Sequence, residues 1–144
     1  MSSLLHLAAF PKIRLCNQKG KIILSPDTSF CVEGTFSLEM QKWLFAYAKK
    51  ESLPFPLPDS LSSFAKEVVE QLLQIPFGEK ISYGELAERA GHPKAYRPVG
   101  RVCNQNPYPL FIPCHRVIGE KKVGGYAFGK EVKERLLAFE SNRL

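Results

Sequence analysis

A chain of 144 residues can bury one sizeable core, or a small domain packed against a larger one. With 44% hydrophobic and 24% charged residues it has globular proportions, which excludes a low-complexity chain; no apolar run approaches the roughly 20 residues that span a bilayer. The net charge of +6 is uneven: residues 76–144 hold 12 Lys/Arg against 7 Asp/Glu, residues 1–75 hold 8 against 7. A basic C-terminal half suits a polyanionic partner, because phosphate neutralisation is the usual source of nonspecific affinity. A Lys-rich solvated surface gives the same count.

Met1 to Phe10 is mildly apolar but has no basic stretch before it, so no export signal is expected. Reduced thiols in the cytosol then follow for Cys16, Cys31, Cys103 and Cys114. Leu4–Phe10, Ile13–Leu15 and Lys21–Leu24 read as short strands, with a hairpin turn at Asn17-Gln18-Lys19-Gly20. Ser37 opens a helix to about Lys50 whose apolar face carries Trp43, Leu44 and Tyr47, aromatics read as core. Pro54, Pro56 and Pro58 alternate, which forbids helix and favours an extended connector. The domain boundary is placed there, with residues 1–58 on one side and 59–144 on the other.

Beyond it Phe64, Val68, Leu72 and Ile75 share one helical face, and Pro76-Phe77-Gly78 ends that helix. Ser82 and Glu85 have the spacing of a capping box and start a short helix to about Ala90. Gly91 suits the left-handed position that follows. A second helix runs from about Lys94 to Asn104, where Pro98 is tolerated only in the first turn. Two short helices around a tight Gly-containing turn outline a helix-turn-helix, a shape many unrelated helix pairs share. Leu110-Phe111-Ile112 reads as strand-like, Gly124-Gly125 as a turn, and a last helix from Lys130 turns Val132, Leu136 and Phe139 inward. The fold class is α+β: a short antiparallel sheet plus helix, joined to a mostly helical, winged-helix-like half.

Cys114 stands out chemically. A thiol attacks only as thiolate, and an ordinary one near pKa ~8.5 is mostly protonated at neutral pH. His115, Arg116, Lys121 and Lys122 are basic neighbours in sequence that can favour the anion. A structural cysteine flanked by chance charges is the other reading.

The segment Asn106-Pro107-Tyr108-Pro109-Leu110-Phe111-Ile112-Pro113-Cys114-His115-Arg116-Val117-Ile118 closely resembles the active-site signature of the O6-alkylguanine-DNA alkyltransferases. Ile75 to Ala87 resembles that family's entry into its first DNA-binding helix, and Ala95-Tyr96-Arg97-Pro98-Val99-Gly100 its recognition helix. Gly124-Gly125-Tyr126 and Lys133 to Glu140 match the downstream blocks. Five blocks in the right order cover about residues 60–143.

The resemblance implies direct-reversal DNA repair: an alkyl group leaves O6-alkylguanine, and by extension O4-alkylthymine, for Cys114 in one displacement. The product is a stable thioether, so each molecule acts once, as a methylated-DNA–protein-cysteine methyltransferase without cofactor. His115 would be the base through a bridging water, and Glu140 would orient it. Adjacent residues of an extended chain point apart, so direct contact between Cys114 and His115 is not expected. Tyr83 would donate to the departing guanine, or simply pack at a helix start. Tyr126 would border the alkyl pocket, or plug a turn. Lys133 would assist proton transfer, or be a plain surface lysine.

Asn106 would organise the turn beside the nucleophile. Arg97 would enter the base stack and fill the space of the everted base, whose extrusion costs a few kcal/mol. Lys94 and Arg101 would touch phosphates or be ordinary solvated charges. The partner is double-stranded DNA carrying the lesion, met by a monomer in the cytoplasm, or in the nucleus of a eukaryote, with no membrane.

Several positions depart from the family pattern. Pro98 replaces a commoner alanine, Gly125 and Ala127 flank Tyr126, and the first 58 residues share little beyond element order. Some relatives hold zinc there, but His6, Cys16 and Cys31 offer no fourth ligand, so no metal is expected. Two other functions compete. A lesion sensor or helix-turn-helix regulator that does not repair would lack the cysteine. A Cys–His hydrolase would need a histidine contacting the thiolate and an oxyanion hole.

Overall fold

Alternation of buried and open positions explains the first elements of the computed structural model, which describes residues 10–119 and 126–141. Leu4 to Ala9, Lys121, Lys122 and the Gly124-Gly125 turn lie outside them. β1 (Ile13–Gln18) and β2 (Lys21–Pro26) form an antiparallel hairpin, with Ile13, Leu15, Ile22 and Leu24 on one buried face. A third strand, β3 (Cys31–Glu33), pairs in parallel with β1, so the sheet is mixed and not the antiparallel one expected. Three residues are too few for periodicity to register.

α1 (Leu38–Ala48) starts where Ser37 Oγ accepts the Met40 amide. α2 (Ser63–Leu72) starts the same way on Ser62. Residues 51–58 between them run without helix or strand, as alternate prolines require. α3 (Tyr83–Arg89) is capped by Ser82 Oγ, which accepts the Glu85 amide at 3.0 Å. The capping box is only half formed: the Glu85 carboxylate pairs with Arg89, one turn on, instead of reaching back.

The end of α3 is a Schellman motif. The Gly91 amide donates to Glu88 O and the His92 amide to Ala87 O, with Gly91 at φ +84°. α4 (Tyr96–Asn104) begins two residues later than expected, because Lys94 sits at φ +78° in the turn. Pro98 is thus its third residue, where the missing amide has no intrahelical partner to lose.

Leu110 to Ile112 is not a strand. Leu110 takes φ +77°, and the Ile112 amide closes onto Tyr108 O at 2.9 Å. The apolar run is buried because the chain turns there between two cores. Leu110 and Phe111 join the sheet, α1 and α5 (Lys130–Ser141), while Ile112 and Cys114 join α2, α3 and α4. β4 (Ile81–Ser82) then pairs in parallel with β5 (Val117–Ile118), fastening the start of α3 beside the segment after Cys114. The architecture is mixed α+β, and no helix among the described residues is long and apolar enough to cross a membrane.

Candidate active site

Pro113, at φ −81° and ψ 61°, makes an inverse γ-turn in which the Cys114 amide donates to Ile112 O at 2.8 Å. Cys114–Arg116 is a single 3₁₀ turn, not the extended run assumed from sequence. All three residues are buried; Cys114 is 3% exposed and His115 fully enclosed.

Asn106, expected to organise this turn, is hydrogen-bonded around it through all its polar atoms. Its Nδ2 donates to Ile112 O at 2.9 Å and to Cys114 Sγ at 3.2 Å, while its Oδ1 accepts the Tyr108 amide at 2.9 Å. Burial pushes the Cys114 thiol above its usual pKa; Asn106, Tyr126 and Lys133 oppose that shift in turn. The Tyr126 hydroxyl is buried near the sulfur, but its geometry falls short of a hydrogen bond to any described group.

His115 Nε2 meets Glu140 Oε2 at 2.5 Å. The opposite ring nitrogen, Nδ1, is buried with no hydrogen-bond partner among the described residues. Glu140 lies on α5, seven residues from Lys133 and on the same inward face as Val132, Leu136 and Phe139. Two further groups converge on it. Arg116 Nε donates to Oε1 at 2.7 Å, and the Tyr47 hydroxyl donates to Oε2 at 2.7 Å. Burial disfavours the Glu140 charge, yet His115 and Arg116 outweigh it and pull the carboxyl down to about 2.

This corrects the expected role of the basic neighbours. Arg116 does not face the sulfur: its guanidinium is spent on Glu140 and, at 2.8 Å, on Ile75 O. Burial thus raises the thiol's pKa, and Arg116, although close in sequence, lends it no cation.

Lys133 is not a surface residue. It is fully buried, donates to Val117 O at 2.6 Å and lies 5.8 Å from the centre of the Tyr83 ring. Burial lowers its pKa, against the pull of the Cys114 and Cys103 sulfurs. Tyr83 is half-buried and pushed up to about 12 by burial and by the same two sulfurs, which places it within electrostatic reach of the nucleophile. Cys114, His115, Glu140, Asn106, Tyr83, Tyr126 and Lys133 are thus brought together. Lys94, Arg97 and Arg101 stand apart, exposed at and along the outer side of α4.

Sequence reasoning missed Tyr47 as a site residue. It reads as helix core because its ring is core, stacked on Trp43 at 5.2 Å. The available signal was a hydroxyl at a position where phenylalanine would have filled the same space. Cys103, buried on the inner face of α4, was likewise not singled out.

The sequence profile described as "6-O-methylguanine DNA methyltransferase, DNA binding domain" matches residues 63–142. The methylated-DNA–protein-cysteine methyltransferase of Methanosarcina barkeri is 41% identical over 129 residues, 88% of this chain and 82% of that one. The human protein of the same name is 43% identical over 117 residues, covering 74% and 56%. Among solved structures, Mycobacterium tuberculosis OGT in complex with DNA superposes with a TM-score of 0.68 at 31% identity, covering 91% and 93%. The O6-methylguanine methyltransferase of the same organism gives 0.67 at 28%, covering 92% and 93%. With the profile spanning more than half its length and relatives aligned along most of it, this chain belongs to the 6-O-methylguanine DNA methyltransferase family.

Proposed function

We propose that the protein repairs alkylated DNA by moving the alkyl group from O6 of guanine, and from O4 of thymine, onto Cys114. The observation that carries this reading is a thiol held by Asn106 at 3.2 Å, with a buried His115–Glu140 pair one residue away. His115 Nδ1, unpartnered while Nε2 is tied to Glu140, is the atom that takes the thiol proton through one bridging water. The thiolate then attacks the alkyl carbon. The S–C bond forms, the C–O6 bond breaks, and its electron pair stays on guanine. The proton guanine needs equals the one the thiol lost, and Tyr83 supplies it at the base edge, drawing on the proton His115 holds. Lys133 steadies developing negative charge between Cys114 and Tyr83, and Tyr126 borders the transferred group.

Arg116 and Tyr47 hold Glu140 ionised and fixed, so His115 keeps one orientation. Residues 59–144 act as the DNA-binding and acceptor part, with α3 and α4 as a helix-turn-helix, and residues 1–58 form an N-terminal part that shares a core with it. Arg97 fills the gap left by the everted base, while Lys94 and Arg101 meet phosphates. The protein works as a monomer where genomic DNA is, in the cytoplasm or the nucleus.

Intact-protein mass after incubation with an oligonucleotide carrying O6-methylguanine tests the reading. One added methyl group per protein, absent in Cys114→Ala, is the expected result. Release of repaired DNA over many turnovers without a mass change would mean a hydrolase, and binding without transfer a sensor.

A further inference from the structure

A cleft of about 430 Å³ opens between α3, α4 and β5, lined by Tyr83, Gly84, Tyr96, Ile118 and Gly119. Its walls are mostly apolar carbon, and Gly84 leaves one of them open: a Cβ there would meet only Ser82 Oγ, at 3.8 Å. Tyr83, at the inner end, packs against the core cluster that contains Cys114. Tyr96 forms the outer end. It is the first residue of α4, next to Arg97, and is 52% exposed, among the few large hydrophobic side chains left open on the described surface. Beside an arginine at the start of the helix, an open ring offers a platform of the kind on which nucleobases and sugars pack.

Resting on the reading of the protein as a DNA alkyltransferase, we infer that Tyr96 is a positioning residue, an aromatic platform for the DNA strand that carries the lesion. Position along the cleft decides what it touches. Cys114 does not line this cleft, which places Tyr96 away from the sulfur itself. What stays at the mouth is the rest of the strand: the sugar of the everted nucleotide and the base stacked beside it. Arg97, one residue on, fills the space inside the duplex, so the two side chains divide the work. Arg97 replaces the missing base, and Tyr96 holds the strand from which it came. The contact is with the ring face, since stacking needs a π-surface and no partner for the hydroxyl.

Wild type, Tyr96→Ala and Tyr96→Phe are compared on three substrates: duplex O6-methylguanine, single-stranded oligonucleotide O6-methylguanine, and free O6-benzylguanine. Half-saturating concentration and limiting rate are measured separately. Losing one base–ring contact should raise the half-saturating concentration of Tyr96→Ala about tenfold on both oligonucleotides. The limiting rate and the free-base reaction should move less than twofold, and Tyr96→Phe should match wild type. Full activity of Tyr96→Ala on both oligonucleotides overturns the inference. So does an equal loss on the free base, which would put the ring at the reacting pocket, and so does a Tyr96→Phe as weak as Tyr96→Ala, which would assign the effect to the hydroxyl. If wild-type protein gains no mass from any substrate, it is the alkyltransferase reading that has failed.

Discussion

A sulfur 3% exposed, with a pKa raised by burial, is a weak nucleophile until its proton leaves. The site answers with one donor to the sulfur and one oriented base. Asn106 donates to the sulfur directly, while His115 pairs with a carboxylate that Arg116 and Tyr47 also hold; in the proposed reaction these stabilise the thiolate and aim the base. Replacing His115 by alanine should slow transfer at pH 7 by roughly 10²–10⁴-fold, the usual worth of a positioned base. The residual rate should then climb with pH through the alkaline range, because hydroxide replaces the lost base in forming the thiolate. Single-turnover rates measured from pH 6 to 10 check this. A variant whose profile runs parallel to wild type would show that His115 moves no proton.

At the scale of elements, α3, its turn and α4 form a unit whose inner face is core and whose outer face is charge and aromatic. Gly91 ends α3 at φ +84°, where a side chain is strained, although open space surrounds its position. Gly91→Ala should cost about 1 kcal/mol in urea unfolding, all of it backbone strain. Its effect on DNA affinity should exceed its effect on the free-base reaction, because the turn aims α4. Arg97→Ala works on the same element from the outside. Repair of duplex should fall far more than reaction with free O6-benzylguanine, which needs no base extruded. Equal losses on the two would remove the flipping role, and paired rate measurements decide it.

For the whole molecule, the two cores meet along the chain from Leu110 to Cys114. Glu140 is the buried charge at that junction, linking α1 through Tyr47, the nucleophile turn through His115 and Arg116, and α2's end through Arg116 and Ile75. Its carboxyl releases its proton at about 2 when folded, against 4.5 unpaired, so the native state gains stability above pH 4.5. That gain is lost as pH falls from 4.5 toward 2, and amounts to roughly 3 kcal/mol by the usual conversion. Urea titrations across that window should show the loss in wild type. Glu140→Gln should start less stable at pH 7 and show a flatter acid limb; an unchanged limb would assign acid lability to other groups.

Much of this was legible in the sequence, for definite reasons. Helices α1 to α5 announce themselves through serine caps, Gly91 and apolar spacing, all local signals carried within a turn or two. The nucleophile and its supporters were readable because Pro-Cys-His-Arg, Asn106 and Glu140 sit in a recognisable order. Other features depended on groups distant in sequence. β3 exists because β1 offers an open edge, and Leu110–Ile112 turns because one core claims Leu110 and Phe111 and the other claims Ile112. Arg116 faces away from the sulfur because Glu140, 24 residues on, offers a buried charge to pair with. Tyr47 is a hydrogen-bond donor to the site from 93 residues before Glu140 for the same reason, while Lys133 is buried where the Val117 carbonyl accepts its hydrogen bond. Local sequence determined which helices form and marked Cys114 as the candidate sulfur. Tertiary packing decided which buried charges meet, since a charge removed from water must find its partner wherever the fold brings one.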